Sequence, residues 1–170
     1  AGQRDQGLAE MRASHPEAMG VVDTVREVRD RDAIVSNDSL IQYWMARHFP
    51  VYTPRSFMIP WVYGTLGSAL PYAIGGAVAA PDRQVVAIGG DGAFVFTGSE
   101  LATAIQANAN VVCIVCNDGG YQAMRRHQQL RYGDRNFATE LVTPDFAALA
   151  RSYGALGLTL ETPADLGPAL

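Results

Sequence analysis

The chain has 170 residues, is 48% hydrophobic and 18% charged, and carries a formal net charge of −4. That length suits about one domain, and the composition can bury a substantial core, which excludes a disordered chain. The acidic balance, with no Lys/Arg cluster interleaved with aromatics, excludes a nucleic-acid partner, and no apolar run is long enough for a membrane span.

Taken in chain order, residues 1–30 read as a linker and leading helix, with Val21, Val22, Val25 and Val28 at helical spacing. The N-terminal AGQRDQGLAE is no signal peptide. Residues 31–170 read as the domain proper. Residues 33–36 are predicted as a short strand, 40–48 as a helix and 56–59 as a second short strand. Residues 65–80 read as a long apolar helix whose Pro71 belongs to the first turns or bends it. Residues 85–88 are a core strand. Thr97-Gly98-Ser99-Glu100 fits a capping box opening a helix to about residue 107, with Leu101, Ala104, Ile105 and Asn108 as its stripe. Residues 111–116 are the next buried strand, and a helix begins near Gln122. Thr143-Pro144-Asp145-Phe146 opens another, with Pro144 suited to the first helical position. Phe146, Leu149, Ala150 and Tyr153 form its buried face, Gly154 its end, and residues 157–160 a final strand.

This alternation, with strands apolar on both faces, predicts an α/β fold: three layers, α/β/α, around a mostly parallel sheet. Ligands in such sheets bind beyond the carboxyl ends of the strands. Cys113 and Cys116 spell C-x-x-C inside NVVCIVCND. Residues three apart on a strand point to opposite faces, whereas redox pairs of this spacing sit at a helix N-terminus. The pair therefore reads as two small buried hydrophobes. With no disulfide framework, the cytoplasm is the expected location.

Two strand ends carry unusual sequence, GGDGAF and NDGGYQAM. Glycines let backbone amides approach an anion, yet Asp91 would repel a phosphate unless a cation lay between them. Alone, Gly-Asp-Gly also reads as a tight strand-to-helix turn capped by Asp91. Asn117-Asp118 follows 27 residues after Asp91, at the next strand end. Two acidic strand ends repel unless a cation neutralises them, and Mg²⁺ commonly bridges carboxylates and a pyrophosphate. The pair therefore points to a metal–diphosphate site.

With its spacing, GGDGAF…CNDGGY resembles the thiamine diphosphate (ThDP) signature, Gly-Asp-Gly followed after about 25 residues by Asn-Asn or Asn-Asp. The stretches YGTLGSALPYAIGGAVAAPDRQVVAIGGDGAF and TPDFAALARSYGALGLTLETPADL extend the likeness. The chain resembles the C-terminal, diphosphate-binding domain of ThDP-dependent 2-oxo acid decarboxylases and acetolactate synthases. The resemblance implies ThDP and Mg²⁺ as cofactors, with Asp91, Asp118 and the Gly120 carbonyl as metal ligands. Asparagine is more usual at position 118, so the site would carry one extra negative charge, tightening the metal but weakening its pull on the diphosphate. The Gly92 and Ala93 amides would face the diphosphate, with Gly90 and Tyr121 beside them. Leu66, ordinary helix core on its own, becomes the apolar support that bends the cofactor, and the Gly64 carbonyl the acceptor for its amino group. The loop around Asn37-Asp38-Ser39, with Asn37 and Ser39 as its candidate contacts, falls loosely where the family contacts the terminal phosphates, and a helix cap reads equally well there.

Met124 and His127 match positions that choose substrates. The pyruvate decarboxylase type has glutamate at position 124, so a simple acetaldehyde-forming enzyme is disfavoured. Plant and yeast acetolactate synthases have tryptophan at 127; the histidine is either a polar substrate contact or a surface residue. The glutamate that activates the cofactor comes, in this family, from a pyrimidine-binding domain, usually of a partner subunit. None of Glu10, Glu17, Glu27, Glu100, Glu140 and Glu161 has a matching context. Because the sequence starts without Met and stops inside TPADLGPAL, it is expected to be part of a longer enzyme, inactive alone. The implied activity is decarboxylation of a 2-oxo acid and joining of what remains to a second carbonyl compound, in a homo-oligomer. A non-carboligating decarboxylase of the benzoylformate type, a natural small subunit of a split enzyme and a non-catalytic nucleotide-binding module are the alternatives.

Overall fold

The computed structural model describes residues 2–39, 41–133 and 135–170. Two helices, α1 (Gly2–Ser14) and α2 (Pro16–Val28), lead into β1 (Ile34–Asn37), α3 (Gln42–His48) and β2 (Phe57–Met58). Then come α4 (Ala69–Ala79), β3 (Val85–Gly90), α5 (Asp91–Thr97), a 3₁₀ turn (Gly98–Glu100), α6 (Leu101–Gln106) and β4 (Val112–Cys116). The chain closes with α7 (Gln122–Tyr132), α8 (Phe146–Ser152), a 3₁₀ turn (Pro163–Asp165) and α9 (Leu166–Ala169). Leu40, predicted as the start of a helix, lies outside the described residues.

The sheet is wholly parallel in the order β2-β1-β3-β4, with Ile34 opposite Val85 and Val86 opposite Val112. Alternation along the strands feeds two cores. Val35, Val86 and Ile88 face Met19, Val22 and Val25 of α2, Met45 of α3 and Leu166 of α9. Ile34, Val85 and Ala87 face Ala69, Ala73 and Ala77 of α4. Small residues bring α4 close: a Cβ on Gly76 would meet Ile34 Cγ2 at 3.2 Å. Phe94, Leu101 and Ala104 extend that second face toward Phe146 and Leu149 of α8. The expected three layers are present. Among the described residues, no helix is long and apolar enough to cross a membrane.

Several local expectations change. The helix predicted over 65–80 starts only at Ala69, because Gly64 (φ +59°) and Gly67 (φ +80°) turn left-handed just before it. Pro71 does fall in its first turn. The capping box at Thr97 does not form; the Thr97 hydroxyl donates to the Gly67 carbonyl at 2.8 Å, and helix begins earlier, at Asp91. Leu101 and Ala104 are buried, but Ile105 and Asn108 face solvent. At α8, Asp145 is the N-cap, accepting from the Ala148 amide at 2.9 Å, so Pro144 precedes the cap instead of opening the helix. The strand β4 is half-buried instead of fully buried, because β3 is its one partner among the described residues. Residues 157–160 join no ladder; Arg151 Nη1 donates to the Gly157 carbonyl at 2.8 Å, and Leu156 and Leu158 stay exposed. Cys113 and Cys116 enter clusters on opposite faces of the sheet as free thiols. Burial pushes their thiols up, to about 12 for Cys113 and about 11 for Cys116.

Candidate functional site

From β1 the chain first moves outward to β2, then crosses back to place β3 on the other side of β1. The crevice between the carboxyl ends of β1 and β3 is therefore a topological switch point, where ligands enter open α/β sheets. Asn37, Asp38 and Ser39 leave β1 there, and Gly90 and Asp91 leave β3.

Asp91 is 2% exposed and opens α5. Its Oδ1 accepts the Gly92 amide at 2.7 Å, and its Oδ2 accepts the amides of Gly119 at 2.8 Å and Gly120 at 3.1 Å. One carboxylate thus ties the turn after β3 to the turn after β4. The Gly92 amide, matched above to a diphosphate contact, is turned into Asp91. A strap from residues 139–141 runs antiparallel to the β4 turn, with the Tyr121 amide on the Thr139 carbonyl at 2.8 Å and the Leu141 amide on the Gly119 carbonyl at 2.9 Å. The fit leaves no room for side chains: a Cβ on Gly92 would lie 2.6 Å from the Tyr121 ring, and one on Gly120 would overlap the Thr139 carbonyl.

Asp118 stands exposed beside this knot. Partial burial, then the charge of Asp91, pushes its carboxyl up, opposed by the Gly120 amide and Arg125. Arg125 Nη2 lies 2.6 Å from Glu140 Oε2 but off the hydrogen-bond direction, leaving Nε and Nη2 without hydrogen-bond partners among the described residues. Asn37 is fully buried, and its Oδ1 likewise has no partner. Ser39 donates its hydroxyl to Asp38 Oδ1 at 2.8 Å and accepts the Gly90 amide at 3.1 Å.

The structure therefore gathers Asn37, Ser39, Gly90, Asp91, Gly92, Ala93, Gly120 and Tyr121 at one end of the sheet, with Asp118 at its rim. Gly64 is exposed, and Leu66 is half-buried in the turn before α4. Met124 and His127 are exposed on α7, three residues apart and so on one side of it. No described contact joins these four to the cluster. Sequence reasoning gave Asp38, an acid at a buried strand end like Asp91, no role beyond belonging to its loop, and it gave Arg125 none.

Residues 40–170 match the family described as "Thiamine pyrophosphate enzyme, C-terminal TPP binding domain". The chain belongs to this family. It is 36% identical over 167 residues to the acetolactate synthase of Bacillus subtilis (strain 168), covering 98% of this chain and 29% of that protein. It is 33% identical over 159 residues to the catabolic acetolactate synthase of Raoultella terrigena, covering 93% of this chain and 28% of that one. Among solved structures, the Rhodococcus jostii RHA1 thiamine diphosphate-dependent 4-hydroxybenzoylformate decarboxylase superposes with a TM-score of 0.81 at 29% identity, over 90% of this chain and 29% of that chain. The chain thus spans less than a third of the length of these relatives.

The residues at this end of the sheet suit both thiamine diphosphate and Mg²⁺, the cofactors implied by the sequence motifs. Asp91, Asp118 and the Gly120 carbonyl offer oxygen donors alone, the set Mg²⁺ favours. Asp91 has three amides on roughly four acceptor sites, so acceptor capacity remains. No group of three or more His, Cys, Asp or Glu side chains gathers among the described residues, so any metal here depends on backbone and ligand oxygens as well. The glycine-lined turns suit an anionic, phosphate-bearing group, and Arg125, already ion-paired with Glu140, adds a positive charge nearby.

Proposed function

We propose that residues 31–170 form the Mg²⁺–diphosphate half of the active site of an acetolactate-synthase-like enzyme, and that residues 1–30 lead into that domain. The enzyme decarboxylates a 2-oxo acid and joins what remains to a second carbonyl compound. The observation that carries this reading is the Asp91 carboxylate, which accepts amides from the turns after β3 and after β4 and so ties the turn bearing Asp118 and Gly120 to its own. Asp91, Asp118 and the Gly120 carbonyl hold the metal; Ala93, Asn37 and Arg125 face the diphosphate side; Leu66 supports the cofactor from below and the Gly64 carbonyl receives its amino group. When bound, thiamine diphosphate supplies the electron sink for loss of carbon dioxide, and the protein binds and orients it. Met124 and His127 lie toward the substrate. The activating glutamate comes from a pyrimidine-binding domain, in cis or from a partner subunit, and the enzyme is a cytoplasmic homo-oligomer.

Calorimetry of the full-length protein with ThDP, with and without Mg²⁺, tests the core of the proposal. Binding that requires Mg²⁺ supports it, and binding of neither sinks it in favour of a nucleotide-binding module. A second reading, a non-carboligating decarboxylase of aromatic 2-oxo acids, is favoured by the likeness to the 4-hydroxybenzoylformate decarboxylase. Product analysis separates the two. Acetolactate from pyruvate alone supports the carboligase, whereas aldehyde from an aromatic 2-oxo acid without coupling supports the decarboxylase.

A further inference from the structure

Asp38 is a carboxylate only 1% exposed, and it stands between the two turns that the proposed site depends on. Its Oδ2 accepts the amide of Ala69 at 3.1 Å, the first residue of α4 after the turn that carries Leu66. Its Oδ1 accepts the Ser39 hydroxyl at 2.8 Å, and that hydroxyl accepts the amide of Gly90 at 3.1 Å, directly before Asp91. Three hydrogen bonds in series therefore join the turn before α4 to the turn after β3. The neighbours are shaped around this acid. A Cβ on Gly89 would lie 2.8 Å from Asp38 Oδ1. Ser39 holds a left-handed φ of +61°, a conformation that costs a serine energy.

The dipeptide Asp38-Ser39 combines two unfavourable features, a buried carboxyl and a strained backbone. Capping α4 alone would need neither, since a neutral serine or threonine serves as a cap. Such unfavourable features concentrate where geometry at a site must be fixed.

We propose that Asp38 is a positioning residue: through Ala69 it sets the turn bearing Leu66, and through Ser39 it sets Gly90 and Asp91, fixing the distance between the two arms of the site. It acts through those residues and not on the reacting atoms. The inference rests on the reading of this chain as the diphosphate half of a ThDP site.

The test uses the full-length enzyme, with the affinities for Mg²⁺ and ThDP measured by calorimetry and the near-ultraviolet circular dichroism of the bound cofactor recorded beside thermal unfolding. S39A breaks only the relay to Gly90; it should weaken Mg²⁺ binding about tenfold, the size of one lost hydrogen bond of this kind, and leave the cofactor band unchanged. D38A removes both arms, weakening both affinities and altering the band. D38N keeps an oxygen for Ala69 and should recover the band but not the Mg²⁺ affinity. If D38A does not fold, S39A and D38N carry the test. On a D38A or D38N background, S39A should add less than about twofold, because the relay is already broken. A full additive loss would place Ser39 on the ligand itself and overturn the relay. Folded variants that match the parent in affinities and band would overturn this inference alone. A parent that binds no ThDP with Mg²⁺ would overturn the functional reading and this inference with it.

Discussion

Asp91 ties two turns with one carboxylate, and the amides it accepts define what each substitution costs. In Asp91→Asn, one oxygen becomes an NH₂ that confronts an amide donor, and the charge that would hold a cation is gone. ThDP affinity in the presence of Mg²⁺ should fall on the order of a hundredfold, as calorimetry on the full-length protein would read. Asp38 gives a pH signature of a different kind. Its ordinary value is 3.8; burial pushes the folded value higher, against the amides of Ala69, Ser68 and Gly67 and the Ser39 hydroxyl. Between those two pH values the folded chain keeps a proton that the unfolded chain has released. Stability from this residue therefore falls as pH rises through that window and is lowest above the folded value. The difference in unfolding midpoint between the parent and Asp38→Asn, followed upward from pH 3.8, should show this slope. Cys113, its thiol pushed up to about 12, should resist iodoacetamide at pH 8 in the native protein and react on unfolding, as a thiol count by mass spectrometry would register. Asp91 and Asp118 were singled out in the sequence as candidate metal ligands because an acid meets glycine at each strand end, between Gly90 and Gly92 in one and before Gly119 in the other. Asp38 was not, because its meaning depends on which amides lie above it, and those come from residues about thirty positions away.

At the scale of elements, the glycines of the β4 turn separate space from conformation. Gly119 has φ +72° with open space where a Cβ would stand, so Gly119→Ala costs only the left-handed backbone, about 1 kcal/mol. Gly120 has no positive φ, but a Cβ there overlaps the Thr139 carbonyl of the strap, so Gly120→Ala should cost about 3 kcal/mol. Unfolding midpoints of the two variants in one full-length background should rank them in that order. The same distinction explains where pattern reading fell short. The apolar run 65–80 has helical composition, but Gly67 turns left-handed where the chain passes so close to Phe96 and Thr97 that a Cβ would meet them at 2.9 and 3.1 Å, an approach across about thirty residues. Thr97 had the spacing of a capping box, yet its hydroxyl found the Gly67 carbonyl. In both cases a partner distant in sequence outcompeted a local one.

Across the whole molecule, Trp61, Val62 and Tyr63 expose 57%, 83% and 92% of their surface, with Tyr43 packed edge-on against Trp61 at 6.2 Å. This apolar patch runs directly into Gly64 and the turn carrying Leu66. Contiguous exposed aromatics of this kind mark interaction surfaces, and under the proposed function another domain covers this one. The tryptophan emission lost on Trp61→Phe, which isolates this residue from every other tryptophan, should be shielded from acrylamide in the full-length protein and quenched in residues 1–170 alone. Equal quenching in both would count against a covering domain at this face.

The sequence by itself determined the α/β class, the family and the two acidic strand ends, because strand and helix periodicity and acids set beside glycines are local signals. The tertiary structure alone decided that Asp91 bonds the turns after β3 and β4, that Asp38 and Ser39 link the turn before α4 to the turn after β3, and that β4 stands with one strand neighbour among the described residues. Those facts depend on backbone amides and strand order, which carry no residue-type signature. A carboxylate's partners are fixed by where the chain returns, and the sheet order β2-β1-β3-β4 is what returns it.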